Sequence, residues 1–244
     1  MTAARPRWAA VLGVMGELAI TLGVLVGLFA VWQLWWTDVA ATAAHAKIVS
    51  EFAEPLEVPA PRLAEERGEP PPVIEVPAEA TTFALLRVPR WGADYVVPIS
   101  EGVRRDTVLD VLGVGHYPGT AMPGQVGNFA VAGHRQTYGR PFFRVPELRE
   151  GDALVVESDS AWYVYRVSET LIVDPRAVEV IAPVPGQPGA QATESVMTLT
   201  TCHPLYSTRQ RFIVHGVLDS WVAKADGYPE ALAQEATMST ESGE

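Results

Sequence analysis

Cysteine is all but missing from this chain. Its 244 residues hold a single one, Cys202, so no internal disulfide can brace the fold. Basic residues are scarce too, 18 Lys and Arg against 29 Asp and Glu, for a formal net charge of −11. Those present are scattered, as at Arg104, Arg105, Arg209 and Arg211. Nucleic-acid phosphates require a concentrated cationic face, so no nucleic-acid partner is expected. Neither paired cysteines nor an HExxH spacing is present, and no metal site is expected. The glycine fingerprint of dinucleotide-binding folds, the P-loop and internal repeats are absent as well. What remains is side-chain chemistry.

One long apolar run stands out. Residues 8–36, WAAVLGVMGELAITLGVLVGLFAVWQLWW, carry no charge from Leu18 onward, and about 20 apolar residues suffice to cross a bilayer core. A cleaved signal peptide has a shorter apolar region, about 7–15 residues, ahead of a small-residue site. The AATAAHA stretch after Thr37 offers such a site, so both readings stand. Length favours a retained anchor, as do Trp32, Trp35 and Trp36 at its outer end, where an aromatic belt belongs. Arg5 and Arg7 ahead of the span predict a cytoplasmic N-terminus, single-pass attachment to the cell membrane and an extracellular remainder. Glu17 lies close enough to the inner interface to reach headgroups or to titrate to neutral.

Composition divides the rest. Residues 1–7 read as a cytoplasmic tail, and 37–80 as an extended Pro/Glu-rich linker without a period of 2 or 3.6. Residues 81–223 read as the folded domain, and 224–244 as an acidic, flexible tail. Within the domain, segments rich in Val, Ile, Thr and aromatics lie between Gly, Pro, Asp and Ser. They predict strands at 83–88, 94–99, 128–133, 152–158, 162–168, 170–173, 196–201 and 211–218. One short helix is expected at 106–112, with Asp106 as its N-cap acceptor. Eight short strands with little helix indicate an all-β barrel or sandwich.

The lone Cys202 is a buried structural thiol, half of an intermolecular disulfide, or a nucleophile. It falls where VMTLTT runs into HPLYS, and Pro204 cannot continue a central strand, so the thiol sits at a strand end. Arg211, nine residues on, opens the next strand, where a guanidinium can stabilise a thiolate or an oxyanion. His134 follows another strand in VAGHRQTYG, and a Cys with a distant His is the minimal nucleophile and acid/base pair. His203 adjoins the cysteine but points to the opposite strand face. His116, in GHYPGTAMPGQ, reads as structural or pocket-lining. His215 lies within a strand and His45 in the linker.

TLTTC resembles the TLxTC signature of sortases, the membrane-anchored cysteine transpeptidases of Gram-positive bacteria. The resemblance extends over about 140 residues, through GHYPGTAMPGQVGNFAVAGHR, PFF, GD, TLTTCHP and RQRFIV in family order. It implies an eight-stranded sortase β-barrel with one or two short helices, preceded by a single transmembrane helix. It makes Cys202 the nucleophile, His134 the general acid/base and Arg211 the residue that positions substrate, with Arg209 its rival. Thr201 and Tyr117 become candidate substrate contacts, and no cofactor is implied. TCHP with GHYPGTAMPG looks most like class E, associated with LAxTG rather than LPxTG signals. Classes C and D, the pilin-polymerising type among them, are the alternatives, but the DPW-like lid motif of class C is missing from 38–80. The implied partners are secreted proteins bearing a C-terminal sorting signal and an amine of a peptidoglycan precursor. Two other readings compete. An L,D-transpeptidase keeps its His and Cys close together, unlike His134 and Cys202. An inert, degenerate barrel would require the Cys–His–Arg order to be accidental.

Overall fold

The computed structural model describes residues 7–53 and 63–233, apart from 66 and 68. The expected cytoplasmic tail up to residue 6, residues 54–62 of the linker and the tail beyond 233 lie outside the described residues.

Helix α1 runs from Arg7 to Ala53. Its side chains from Val11 to Gln33 are exposed, and the helix is long and apolar enough to cross a membrane. The expected extended linker begins later than Thr37, because residues 37–53 are alanine-rich and continue the helix. The first proline after the span is Pro55, and the Pro/Glu bias starts only there.

Eight strands follow: β1 (Thr82–Arg87), β2 (Val96–Glu101), β3 (Val114–His116), β4 (Gly127–Ala132), β5 (Ala153–Glu157), β6 (Ala161–Val173), β7 (Ser195–His203) and β8 (Gln210–Ala223). They close into a barrel in the order β1-β2-β3-β4-β7-β8-β6-β5. The β2–β3 and β4–β7 pairs are parallel and the rest antiparallel. Strand alternation sends Phe129, Val131, Met197, Leu199 and Val214 into the barrel, against Leu86, Ile99, Leu154 and Tyr165. Burying such side chains contributes about 1.5–3 kcal/mol each.

Three local expectations are corrected. The segments 162–168 and 170–173 form one long strand, β6, which absorbs the interruption at Ser168 as a register shift between Val167 and Glu169 against β8. Strand β3 lies in what reads as a turn-rich loop, because its three residues are too few to show a period. Residues 105–109 form a single π-type turn rather than a regular helix, and Asp106 bonds the Arg104 side chain instead of capping.

Residues 224–233 are packed rather than frayed. Lys224 Nζ lies 2.8 Å from Glu157 Oε1 with both side chains buried, and Ala231 joins Val155 and Val164 in a small apolar cluster. The chain ahead of β1 straps the same side of the barrel, where the Trp221 indole donates to the Glu69 carbonyl at 2.6 Å.

Candidate active site

Register places three side chains in a row. Ala132 of β4 pairs with Thr200 of β7, and the Gly133 N–H continues the ladder to the Thr200 carbonyl at 3.2 Å. His134 is therefore level with Cys202, each two residues beyond that pair. Across the other edge of β7, Cys202 pairs directly with Arg211 of β8. Histidine, cysteine and arginine thus line up across the ends of three adjacent strands, at one rim of the barrel. Cys202 is half-buried. Arg209 lies in the loop ahead of β8, and the register gives the place opposite the cysteine to Arg211. The Arg211 guanidinium is steadied by the Thr208 and Gln210 carbonyls, each at 3.0 Å.

His134 has a carboxylate partner. Its Nε2 lies 2.6 Å from Asp110 Oδ1, and the ring packs against Tyr138 with centroids 5.1 Å apart. Asp110 follows the π-type turn and also faces Arg105 at 3.5 Å. A carboxylate on one ring nitrogen fixes the plane and tautomer of an imidazole. Behind the loop, Phe142 N–H donates to the His134 carbonyl at 3.0 Å, and the Phe142 ring packs so closely on Gly133 that a Cβ there would lie 2.7 Å from it.

Arg135 approaches from beneath the cysteine. Its Nη1 donates to the Cys202 carbonyl at 3.3 Å and to His203 Nδ1 at 2.9 Å, and its guanidinium lies over the Phe212 ring. Burial pulls the Arg135 pKa down, and the neighbouring Cys202 offsets part of that by favouring the charged form. Arg135 thus holds the backbone of the cysteine rather than its side chain. His203 is engaged with Arg135 and Phe212, away from the Cys202 face, as strand alternation requires.

Thr198, Thr200 and Cys202 share the outer face of β7. Tyr117 reaches this face and its hydroxyl lies 3.0 Å from Thr200 Oγ1. Thr201 points the other way, buried, and its hydroxyl donates to the Gly133 carbonyl at 2.7 Å, tying the cysteine strand to the histidine strand. Further along, Thr198 Oγ1 donates to Asn128 Oδ1 at 2.7 Å and accepts from His215 Nδ1 at 2.9 Å. The Asn128 amide donates to the Val180 and Ala182 carbonyls, which pins the segment between β6 and β7. Beside it, Gly119, Thr120, Ala121, Asn128, Ile181 and Pro183 line a cavity of about 310 Å³. Between this cavity and the row of three the outward residues of β4 and β7, Ala130, Ala132, Thr198 and Thr200, are buried.

The buried His215 yields a stability prediction. Burial pushes its imidazole below the ordinary histidine value, with Glu169 acting in the opposite sense. As pH falls below about 6.5 the unfolded chain takes up this proton before the folded one does. The contribution is present above that pH and lost below it, with a slope of at most about 1.4 kcal/mol per pH unit. Urea unfolding at pH 7.5 and 5.5 is expected to show a smaller loss in His215→Asn, which keeps a donor toward Thr198, than in the wild type. Equal losses in both would remove His215 from the account.

Residues 86–219 match the family of the sortase domain, more than half of the chain. The chain belongs to the sortase family. Over 224 residues this sortase is 38% identical to sortase SrtE1 of Streptomyces coelicolor, an alignment covering 89% of the chain and 60% of that protein. It therefore spans about 60% of this relative's length. Among solved structures it is similar to the SrtA sortase from Actinomyces oris, with a TM-score of 0.65 and 43% identity, over 68% of this chain and 96% of that one. It is also similar to sortase E1 from Streptomyces coelicolor, solved with a tripeptide in its active site. That TM-score is 0.58 at 39% identity, over 64% of this chain and 99% of that one. The class E resemblance and the eight-stranded barrel both agree with these relatives.

Two residues of this sortase's site escape a reading by motif. Asp110 sits in a segment expected as a short helix, and nothing in its spacing ties it to a histidine 24 residues later. Arg135 adjoins His134, and strand alternation alone sends it away from the cysteine. It packs on that other face with His203 and Phe212, and meets the cysteine only through the Cys202 carbonyl. His116 was expected to be structural or pocket-lining. It is fully buried on β3, with Nδ1 2.6 Å from Glu101 Oε2 and Nε2 3.1 Å from the Ala121 carbonyl, anchoring the loop that begins at Tyr117.

Proposed function

We propose that this sortase is a membrane-anchored cysteine transpeptidase of class E type. The observation that carries the reading is the row of His134, Cys202 and Arg211 across β4, β7 and β8. The Cys202 thiolate attacks the threonine carbonyl of a C-terminal sorting signal, forming a C–S bond. Arg211 and a backbone N–H, of Thr201 or His203, receive the oxyanion, and such a donor is typically worth ~3 kcal/mol. His134, oriented by Asp110, delivers its proton to the glycine amine as the Thr–Gly bond breaks. An amine of a cell-wall precursor then attacks the thioester, His134 takes a proton from it, and the thiolate leaves. Arg211 supplies positive charge near the sulfur in both halves of turnover.

The signal lies with its threonine at Cys202, and Tyr117, whose hydroxyl meets Thr200 two residues before the cysteine, shapes the place of the signal's second residue, where LAxTG and LPxTG differ. The apolar part of α1 anchors the enzyme in the cell membrane with its N-terminus inside. Tethering enzyme and membrane-retained substrate together raises their effective concentration.

The test is amide exchange by the full chain in detergent micelles, with LAxTG and LPxTG peptides and an amine acceptor. Exchange at the Thr–Gly bond, faster for LAxTG, is the expected result. Faster exchange with LPxTG would reject the class E preference, and no exchange with either peptide would reject the signal assignment.

A further inference from the structure

Helix α1 does not end where its apolar stretch ends. From Asp38 it continues to Ala53 alongside the barrel, and Asp38, Ala41 and His45, spaced three and four apart, form one face. Ala41 and His45 are buried, at 7% and 5% exposure, although their neighbours Thr42, Ala43 and Ala46 are exposed. What covers them is the loop that follows β4. Asp38 Oδ1 accepts the Gly139 N–H at 3.2 Å, and Asp38 Oδ2 lies 3.0 Å from Arg140 Nε.

The fit leaves no room for side chains at two glycines. Gly139 has φ +78°, and a Cβ there would lie 3.0 Å from His45 Cε1 and 3.1 Å from its Nδ1. Gly113 has φ +103°, and a Cβ there would lie 3.3 Å from His45 Nε2. The His45 ring is therefore wedged between two loops. Gly139 lies five residues after His134, and Gly113 three residues after Asp110. The helix touches both loops whose other members form the 2.6 Å His134–Asp110 pair. Tyr138 and Arg140 flank Gly139 at φ +54° and +49°, a backbone region unfavourable to non-glycine residues that needs support from outside. Asp38 bonds to this turn, and Tyr138 is the residue whose ring packs on His134.

We propose that the segment of α1 beyond the apolar span is a member of the active-site scaffold, with Asp38 and His45 as positioning residues that hold the His134 and Asp110 loops in register. The inference rests on the reading of His134 as the proton donor. It assigns the anchor helix a second task besides attachment. A shift of about 1 Å at a catalytic group can cost up to about a hundredfold in rate, and neither loop has regular secondary structure of its own to resist such a shift.

The test compares full-length wild type, Asp38→Ala, Asp38→Glu and Asp38→Asn, which keeps an acceptor for the Gly139 N–H, in one micelle type. Asp38→Ala is expected to lower kcat about tenfold or more with KM for the peptide within twofold and an unchanged unfolding midpoint. Asp38→Glu and Asp38→Asn are expected to recover most of that loss. Hydrogen exchange across residues 134–140 should accelerate in Asp38→Ala and return in the rescued forms. Unchanged kcat in Asp38→Ala overturns the proposal, whether or not the loop loses protection. So does a matching loss in KM or in the unfolding midpoint. Should the wild type show no exchange of peptides at all, the signal assignment fails separately. The brace is then judged on loop protection and on the His134 imidazole resonances, where values unmoved by Asp38→Ala overturn it.

Discussion

Cys202→Ala is expected to abolish transpeptidation, with a loss of about 10⁴-fold or more, while leaving the barrel folded. The sulfur is the only thiol in the chain, so no neighbouring residue can take over the attack. The backbone around it would be undisturbed: Cys202 keeps its β7–β8 pairing to Arg211, and its carbonyl still accepts from Arg135. The side chain is half-buried at a strand end, so its truncation is expected to change stability by no more than about 1 kcal/mol. Circular dichroism and the unfolding midpoint check the fold, and the peptide exchange assay checks the rate. Residual activity within a hundredfold of wild type would mean that another group forms the covalent bond, or that none is formed.

His134→Ala is the second large effect, an expected loss of about 10²–10⁴-fold in peptide turnover. The leaving group in the proposed acylation is an amine, which must be protonated as the C–N bond breaks, and His134 is the group level with the sulfur on the neighbouring strand. Arg211, the cation opposite Cys202, stays in place in this variant. Alkylation of the thiol by iodoacetamide, which needs no proton donor, should therefore slow far less than peptide turnover. That contrast separates a role in proton transfer from a role in thiol activation. Equal losses in both measurements would assign His134 to thiolate formation, and a loss under tenfold in turnover would remove it from the mechanism.

The row of His134, Cys202 and Arg211 was legible in the sequence because its parts lie at strand ends, where period and punctuation are clear. TLTTC ends against Pro204, RQRFIV starts a strand at once, and NFAVAG delivers His134 just past its last residue. The expected count of eight strands agrees with the barrel, but through two errors that offset each other. Ser168 is a bulge inside one continuous strand rather than a break between two, and Val114–His116 is a strand only because β2 and β4 flank it. Its pairing is non-local, and three residues carry no periodic signal of it. The same limit hides Asp110 and Arg135, whose roles depend on how loops turn at the rim. The helical continuation to Ala53 was present as an alanine-rich stretch, but the proline-rich segment after it dominated the composition. What that stretch packs against could be seen only in three dimensions, through two glycines with positive φ on loops 26 residues apart in sequence.

The central claim is that Cys202 becomes acylated by a peptide cleaved between Thr and Gly. Intact-mass spectrometry tests this most directly, on the full chain mixed with an LAxTG peptide and quenched in acid before and after adding an amine. The account predicts an adduct equal in mass to the peptide up to its threonine, mapped to Cys202, which disappears on amine addition as the amide product forms. An active, folded enzyme with product but no adduct, or an adduct mapped to any other residue, would contradict it.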